Sequence, residues 1–182
     1  ANDGASGVAI LMEIAKFLHD NPLINIGVDI LLTDGEDMGR TGNPDSWALG
    51  AKIVANKLPS PKAFAAICVD MIGDKELTLP IEANSYRQAP QLVLSIWNLA
   101  NELGFDQFKM EMGNSIIDDH YVFYNVTKIP AINIIDFNYP NETTNYWHTL
   151  KDVPEHCSAK SLKTVGDLLL AYIFSKESNY NE

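Results

Sequence analysis

Apolar, β-branched runs alternate along this chain with stretches of helical spacing, and that alternation constrains the fold more than any other feature. The runs at 24–32, 63–71 and 129–137 read as buried strands. A short edge strand is expected at 77–81, where Pro80 suits an edge, and a further strand at 105–111. Residues 5–19 place Val8, Leu11, Met12, Ala15 and Leu18 at helical spacing. Asp45 is the expected N-cap of a helix reaching about residue 57, broken by Pro59 and Pro61. Pro90 and Gly104 bracket a helix over 90–103. Residues 119–125 read as one or two helical turns and 138–147 as a polar loop, before Ser158 caps a last helix to about Ser175. The expected fold class is α/β: a three-layer αβα arrangement with a mostly parallel mixed sheet and helices on both faces, one domain over 1–182.

Five short acidic or histidine-bearing stations punctuate this pattern. They are Ala-Asn-Asp-Gly-Ala-Ser-Gly at 1–7, Asp-Gly-Glu-Asp at 34–37, Val-Asp-Met-Ile-Gly at 69–73, Ile-Asp-Asp-His at 117–120 and Trp-His-Thr at 147–149. Each is expected where a strand ends or a helix begins, and in an open α/β sheet such ends gather on one edge. Carboxylates converging with a histidine there suit a zinc site with an acid/base carboxylate beside it. Taken alone, each station has a plainer reading. Asp3 could cap the first helix, Asp-Gly-Glu-Asp could be a solvated turn, and His148 could be a surface histidine. Asp70 resists such a reading, since a carboxylate inside an apolar strand needs a partner or a metal. Asp119 could be an N-cap, which leaves Asp118 without a default role. Trp47, Ile117, Phe137, Tyr139 and Trp147 are candidate pocket walls.

Composition narrows the partners. A formal net charge of -11 argues against nucleic acid and anionic membrane surfaces. No apolar run approaches the roughly 20 residues that span a bilayer. Cys68 and Cys157, the two cysteines, lack Cys-x-x-Cys metal spacing, so any metal falls to carboxylates and histidine.

Together the stations, with Lys-Ile-Pro-Ala-Ile-Asn-Ile-Ile and Tyr-Trp-His-Thr-Leu-Lys-Asp, resemble the zinc-dependent M28 peptidase family over essentially the whole chain. That family also contains the glutaminyl cyclases. The resemblance implies zinc ligation by Asp3, Asp37 and His148, and a general base and acid at Glu36. It implies that Asp70 binds a second zinc in two-metal aminopeptidases, or joins a proton-sharing carboxylate network with Asp118 in single-zinc cyclases. Ile117, Phe137 and Trp147 would line the substrate pocket. One zinc is expected, with a second through Asp70 if an upstream segment is present. Asp37 stands where the family often has Glu, and the His-x-Asp pair of two-zinc members would lie upstream of residue 1. The chain is therefore expected to be the C-terminal part of the complete domain, without its N-terminal strands. An exported location is a family-level expectation.

Substrates on this reading are peptide or protein N-termini. Asp118 before Asp-His, and Trp147 before His148, favour a cyclase that turns N-terminal glutamine into pyroglutamate and ammonia. A zinc aminopeptidase, in which Glu36 activates a water against the first peptide bond, is the alternative. Ile117 leans that way, since animal cyclases carry a polar residue there. A non-catalytic peptide-binding relative is the third reading.

Overall fold

A computed structural model describes residues 1–43, 46–58 and 63–179. In chain order its elements are α1 (Ala5–Asp20), α2 (Leu49–Ala55), β1 (Ala66–Asp70), β2 (Leu79–Ile81), α3 (Ala83–Gln88), α4 (Pro90–Glu102), β3 (Phe108–Met112), α5 (Asp119–Thr127), β4 (Ala131–Ile135), β5 (Pro140–Asn141), β6 (Thr144–Asn145) and α6 (Ala159–Asn179). β1 and β4 pair in parallel, with Asp70 opposite Ile135, and β2 pairs in parallel with β3. β5 and β6 form a short antiparallel ribbon inside the expected polar loop.

The alternation of β4 builds the layers. Ile132 and Ile134 join Val69 in a core closed by Ile10 and Ile14 of α1, Ile96 and Trp97 of α4, and Val165 and Leu168 of α6. Ala131, one residue out of phase, packs instead with Phe123 of α5 and Ala55 of α2. Helices thus cover both faces of the paired strands, the α/β architecture expected from the alternation. Gly7 permits the closest of these approaches: a Cβ there would lie 2.0 Å from the Val69 carbonyl oxygen. Among the described residues, no helix is long and apolar enough to cross a membrane.

Several expectations need correction. The run 24–32 forms no strand; Ile24 is 90% exposed and Leu32 59%. Strand pairing is non-local, and this run meets no partner ladder; the Asn25 and Ile26 N–H groups donate to the Glu177 carboxylate instead. α2 begins at Leu49, after Ala48 in the left-handed region, and the expected cap Asp45 and breakers Pro59 and Pro61 lie outside the described residues. The short helix α3 was not anticipated; the Glu82 carboxylate caps it by accepting from the Asn84 and Ser85 N–H groups. The last helix runs four residues beyond Ser175, to Asn179, and Ser158 Oγ caps it by accepting from the N–H of Lys160.

Candidate metal centre and acidic site

The first station is not a helix cap. Gly4 occupies the cap position of α1, with φ +70°, and so supplies no side-chain cap of its own. The Asp3 carboxylate turns instead toward His148 Nε2, 3.3 Å away. Asp37 approaches the same nitrogen at 3.2 Å. One ligand atom from each of Asp3, Asp37 and His148 falls within 4.8 Å of the others, the grouping that the sequence singles out. His148 and Asp37 are substantially exposed, at 43% and 57% of their side chains, so one side of the group stays open. Two carboxylate oxygens and an imidazole nitrogen with an open direction suit zinc with a free coordination position.

Backbone bonds fix this convergence. The loop 34–36 docks on the start of α2, where the N–H groups of Ala48, Leu49 and Gly50 donate to the carbonyls of Glu36, Gly35 and Asp34. These donors would otherwise be unpaired at a helix N-terminus. Trp47, half-buried, packs across Gly39 just beyond this loop. Asp152 accepts from the N–H of Asn2 and Asp3 and from the Tyr139 hydroxyl, which ties the first and last stations together. Asn2 Oδ1 accepts from Gly73 N–H, and Ser6 Oγ from Ile72 N–H, which locks the first station onto the end of β1. His148 itself sits at φ 56°, as does Met71 at φ 50° beside Asp70. Left-handed backbone in side-chain-bearing residues is costly and collects at functional sites.

Beside the three ligating groups lies a set of carboxylates. Burial first, then Asp118 and a bond with the Asp37 carboxyl, push Glu36 up to about 9. Asp70 is pushed up to about 7, by burial first and by Asp118. Its Oδ1 accepts from the Gly4 and Met71 N–H groups, so its partners are backbone donors rather than a cation. Asp118, which the sequence leaves without a structural role, has one: it is the N-cap of α5 and accepts from Asp119 N–H. Its other oxygen accepts from Asn133 Nδ2 at 2.5 Å and lies 3.8 Å from Cys68 Sγ. Asp119 accepts from the Thr33 hydroxyl and so links α5 to the loop that carries Glu36.

The aromatic residues divide. Trp147 stacks on His148 at 4.1 Å, and Phe137 meets Trp147 at 5.0 Å. Ile117 is 40% exposed, immediately before Asp118. Tyr139 is 1% exposed with its hydroxyl committed to Asp152, so it is a core residue and not a pocket wall. Sequence reasoning missed Asn2, Ser6, Glu82, His120, Asn133 and Asp152. Asn2, Ser6, His120, Asn133 and Asp152 lie inside quoted motifs, and a tally of each motif's free donors and acceptors would have pointed to them.

The profile of peptidase family M28 matches residues 1–173. A glutaminyl cyclase of Porphyromonas gingivalis superposes with a TM-score of 0.89 at 33% identity, over 96% of this chain and 62% of that one. A Zn-dependent exopeptidase of Parabacteroides distasonis superposes with a TM-score of 0.85 at 35% identity, over 94% of this chain and 62% of that one. Aminopeptidase YwaD of Bacillus subtilis is 24% identical over 194 residues, covering 96% of this chain and 37% of that protein. The chain thus spans about 62% of the length of those two structures.

Proposed function

The chain belongs to peptidase family M28, and from that premise we propose that it is a zinc enzyme of the glutaminyl cyclase type, converting an N-terminal glutamine of a peptide to pyroglutamate with release of ammonia. The residues 1–182 would form part of one zinc-exopeptidase-like catalytic domain. The observation that carries the reading is the carboxylate set: Asp70 is held by the Gly4 and Met71 N–H groups, the buried Asp118 by Asp119 N–H and Asn133 Nδ2, and burial first, then the charge of Asp118, raises both Asp70 and Glu36. Like charges at close quarters favour one shared proton, which stands in for the positive charge of a second metal.

Asp3, Asp37 and His148 would hold the zinc. Bound there, zinc supplies a Lewis acid that polarises the carbonyl under attack. Glu36, whose raised proton affinity belongs to the metal-free site and would fall beside the charge of zinc, takes the proton released as the substrate's α-amine closes on its own γ-carboxamide carbon. It then delivers that proton to the departing nitrogen; the ring C–N bond forms, the amide C–N bond breaks and ammonia leaves. Asp70 and Asp118 orient the amine. Ile117, Phe137 and Trp147 enclose the glutamine side chain.

Similarity to the Parabacteroides distasonis exopeptidase, at 35% identity against 33% for the cyclase, supports a second reading, a zinc aminopeptidase in which Glu36 takes its proton from an attacking water. A glutamine-initiated peptide separates the readings. Ammonia with an N-terminally blocked peptide is the expected product, and release of free glutamine would overturn the cyclase in favour of the aminopeptidase. Binding of zinc and peptide without either product would leave a peptide-binding relative.

A further inference from the structure

Among the described residues, Glu82 is the most heavily hydrogen-bonded buried side chain, and it lies outside the acidic site. It is 1% exposed, and the side chains of Glu82 and His120 are both fully buried. Its Oε1 accepts from the N–H groups of Asn84 and Ile116, each at 2.8 Å. Its Oε2 accepts from Ser85 N–H at 2.5 Å, Ser85 Oγ at 2.7 Å and bonds His120 Nε2 at 3.0 Å. Burial alone would raise this carboxyl; the His120, Ile116 and Ser85 bonds reverse that and bring it down to about 2. His120 Nδ1 meets no partner, so the tautomer with its proton on Nε2 wastes no donor. A buried carboxylate with this many donors is a costly way to cap a six-residue helix, and its donors show what else it holds.

Those donors surround Asp118. Ile116 lies two residues before it and His120 two residues after, and Glu82 bonds both. Asn84 Nδ2 adds a bond to the Ile116 carbonyl at 2.8 Å. From the other side, Ser85 Oγ accepts from Asn133 N–H, and the Asn133 amide grips Asp118. We propose that the buried Glu82–His120 pair is a positioning device that sets the Asp118 carboxylate, holding the chain on both sides of Asp118 and, through Ser85, the amide that binds it. This rests on the reading of Asp118 as a group that orients the substrate amine. Glu82 and His120 act through Asp118 and are positioning residues, not catalytic ones.

The test is His120→Ala against His120→Gln in the full-length protein, since glutamine restores a donor toward Glu82. The alanine variant should keep one zinc per chain and lower kcat roughly 10- to 100-fold with KM within about twofold, while glutamine recovers most of kcat. A merely structural pair would lower Tm but leave kcat per zinc-loaded site unchanged, and that result overturns the proposal. So does a glutamine variant as slow as the alanine one. Crystal structures of both variants decide independently of turnover. Asp118 displaced from Asn133 Nδ2 in the alanine variant supports the proposal, and Asp118 in place overturns it, even if the wild type acts on no peptide. Should His120→Ala fail to fold, Asn84→Ala loosens the same Ile116 tether and is read the same way.

Discussion

At the scale of single residues, Glu36 and His148 do different jobs and should fail differently. Glu36 stands next to Asp37, but it is absent from the trio whose ligand atoms converge. Glu36→Gln removes a proton carrier of nearly the same shape. It should keep one zinc per chain by elemental analysis and lower turnover about 10²- to 10⁴-fold. His148 contributes the nitrogen that both carboxylates approach, so His148→Ala should lose the metal outright. Full activity in Glu36→Gln would remove it from the base role. The acidic members of this site were legible because the plain readings were weak for Asp70 and jointly improbable for the rest. Asp118 was half legible: its place beside Asp70 could be expected, but its capping bond could not, because which of two adjacent aspartates caps a helix depends on where the helix starts.

At the scale of elements, that double role of Asp118 gives a clean separation. Asn caps helices about as well as Asp but carries no charge. Asp118→Asn should therefore keep the thermal stability of the wild type, the Asn133 amide turning so that its unpartnered Oδ1 accepts from the new Nδ2, and lose turnover. Asp118→Ala should lose turnover and also about 1 kcal/mol of stability, measured by chemical denaturation. Equal stability in the two variants would argue that the cap bond is idle. The contact of α1 with β1 makes a second case. A Cβ on residue 7 would meet the Val69 carbonyl at 2.0 Å, so Gly7→Ala forces the helix off the strand. Overpacking of this kind costs about 1–3 kcal/mol, or roughly 2–12 °C in Tm for a chain of this size. Gly27→Ala, with nothing within 4 Å of its added methyl, is the control that should change little. Helices α4 and α6 and strands β1 and β4 were legible to within a few residues, because their periodicity is local. The run 24–32 has an equally strong strand pattern and forms none, because a strand is completed by its neighbour and pattern alone does not supply one. α3 was illegible because six residues are too few for a period, and its cap is a glutamate whose other donors come from distant elements.

At the scale of the whole molecule, the net charge of -11 and the buried carboxylates set how stability follows pH. Asp136 is 1% exposed, and burial first, with Asp74 nearby, pushes it up to about 7 in spite of bonds from the Thr78 and Asn138 N–H groups. In the unfolded chain the same carboxyl titrates near 3.8, so between those values folding takes up a proton. The folded state then binds more protons than the unfolded one, and stability falls as pH rises through the window, by up to about 1.4 kcal/mol per pH unit per group. Asp70, also pushed up to about 7, acts in the same direction. Glu82 acts oppositely and lower down. Held at about 2 against an ordinary 4.5, it stabilises the fold above pH 4.5, and that contribution is lost as pH falls toward 2. The two trends meet at mildly acidic pH. The metal-free chain should therefore melt highest near pH 4 and lose Tm steadily toward pH 7, read by calorimetry after chelation. Asp136→Asn, neutral throughout, should be less stable overall because one amide oxygen cannot serve both backbone donors. Its Tm should nevertheless fall less steeply between pH 5 and 7. An unchanged slope would mean that Asp136 is ionised in the folded chain, and that the bonds from Thr78 and Asn138 outweigh its burial.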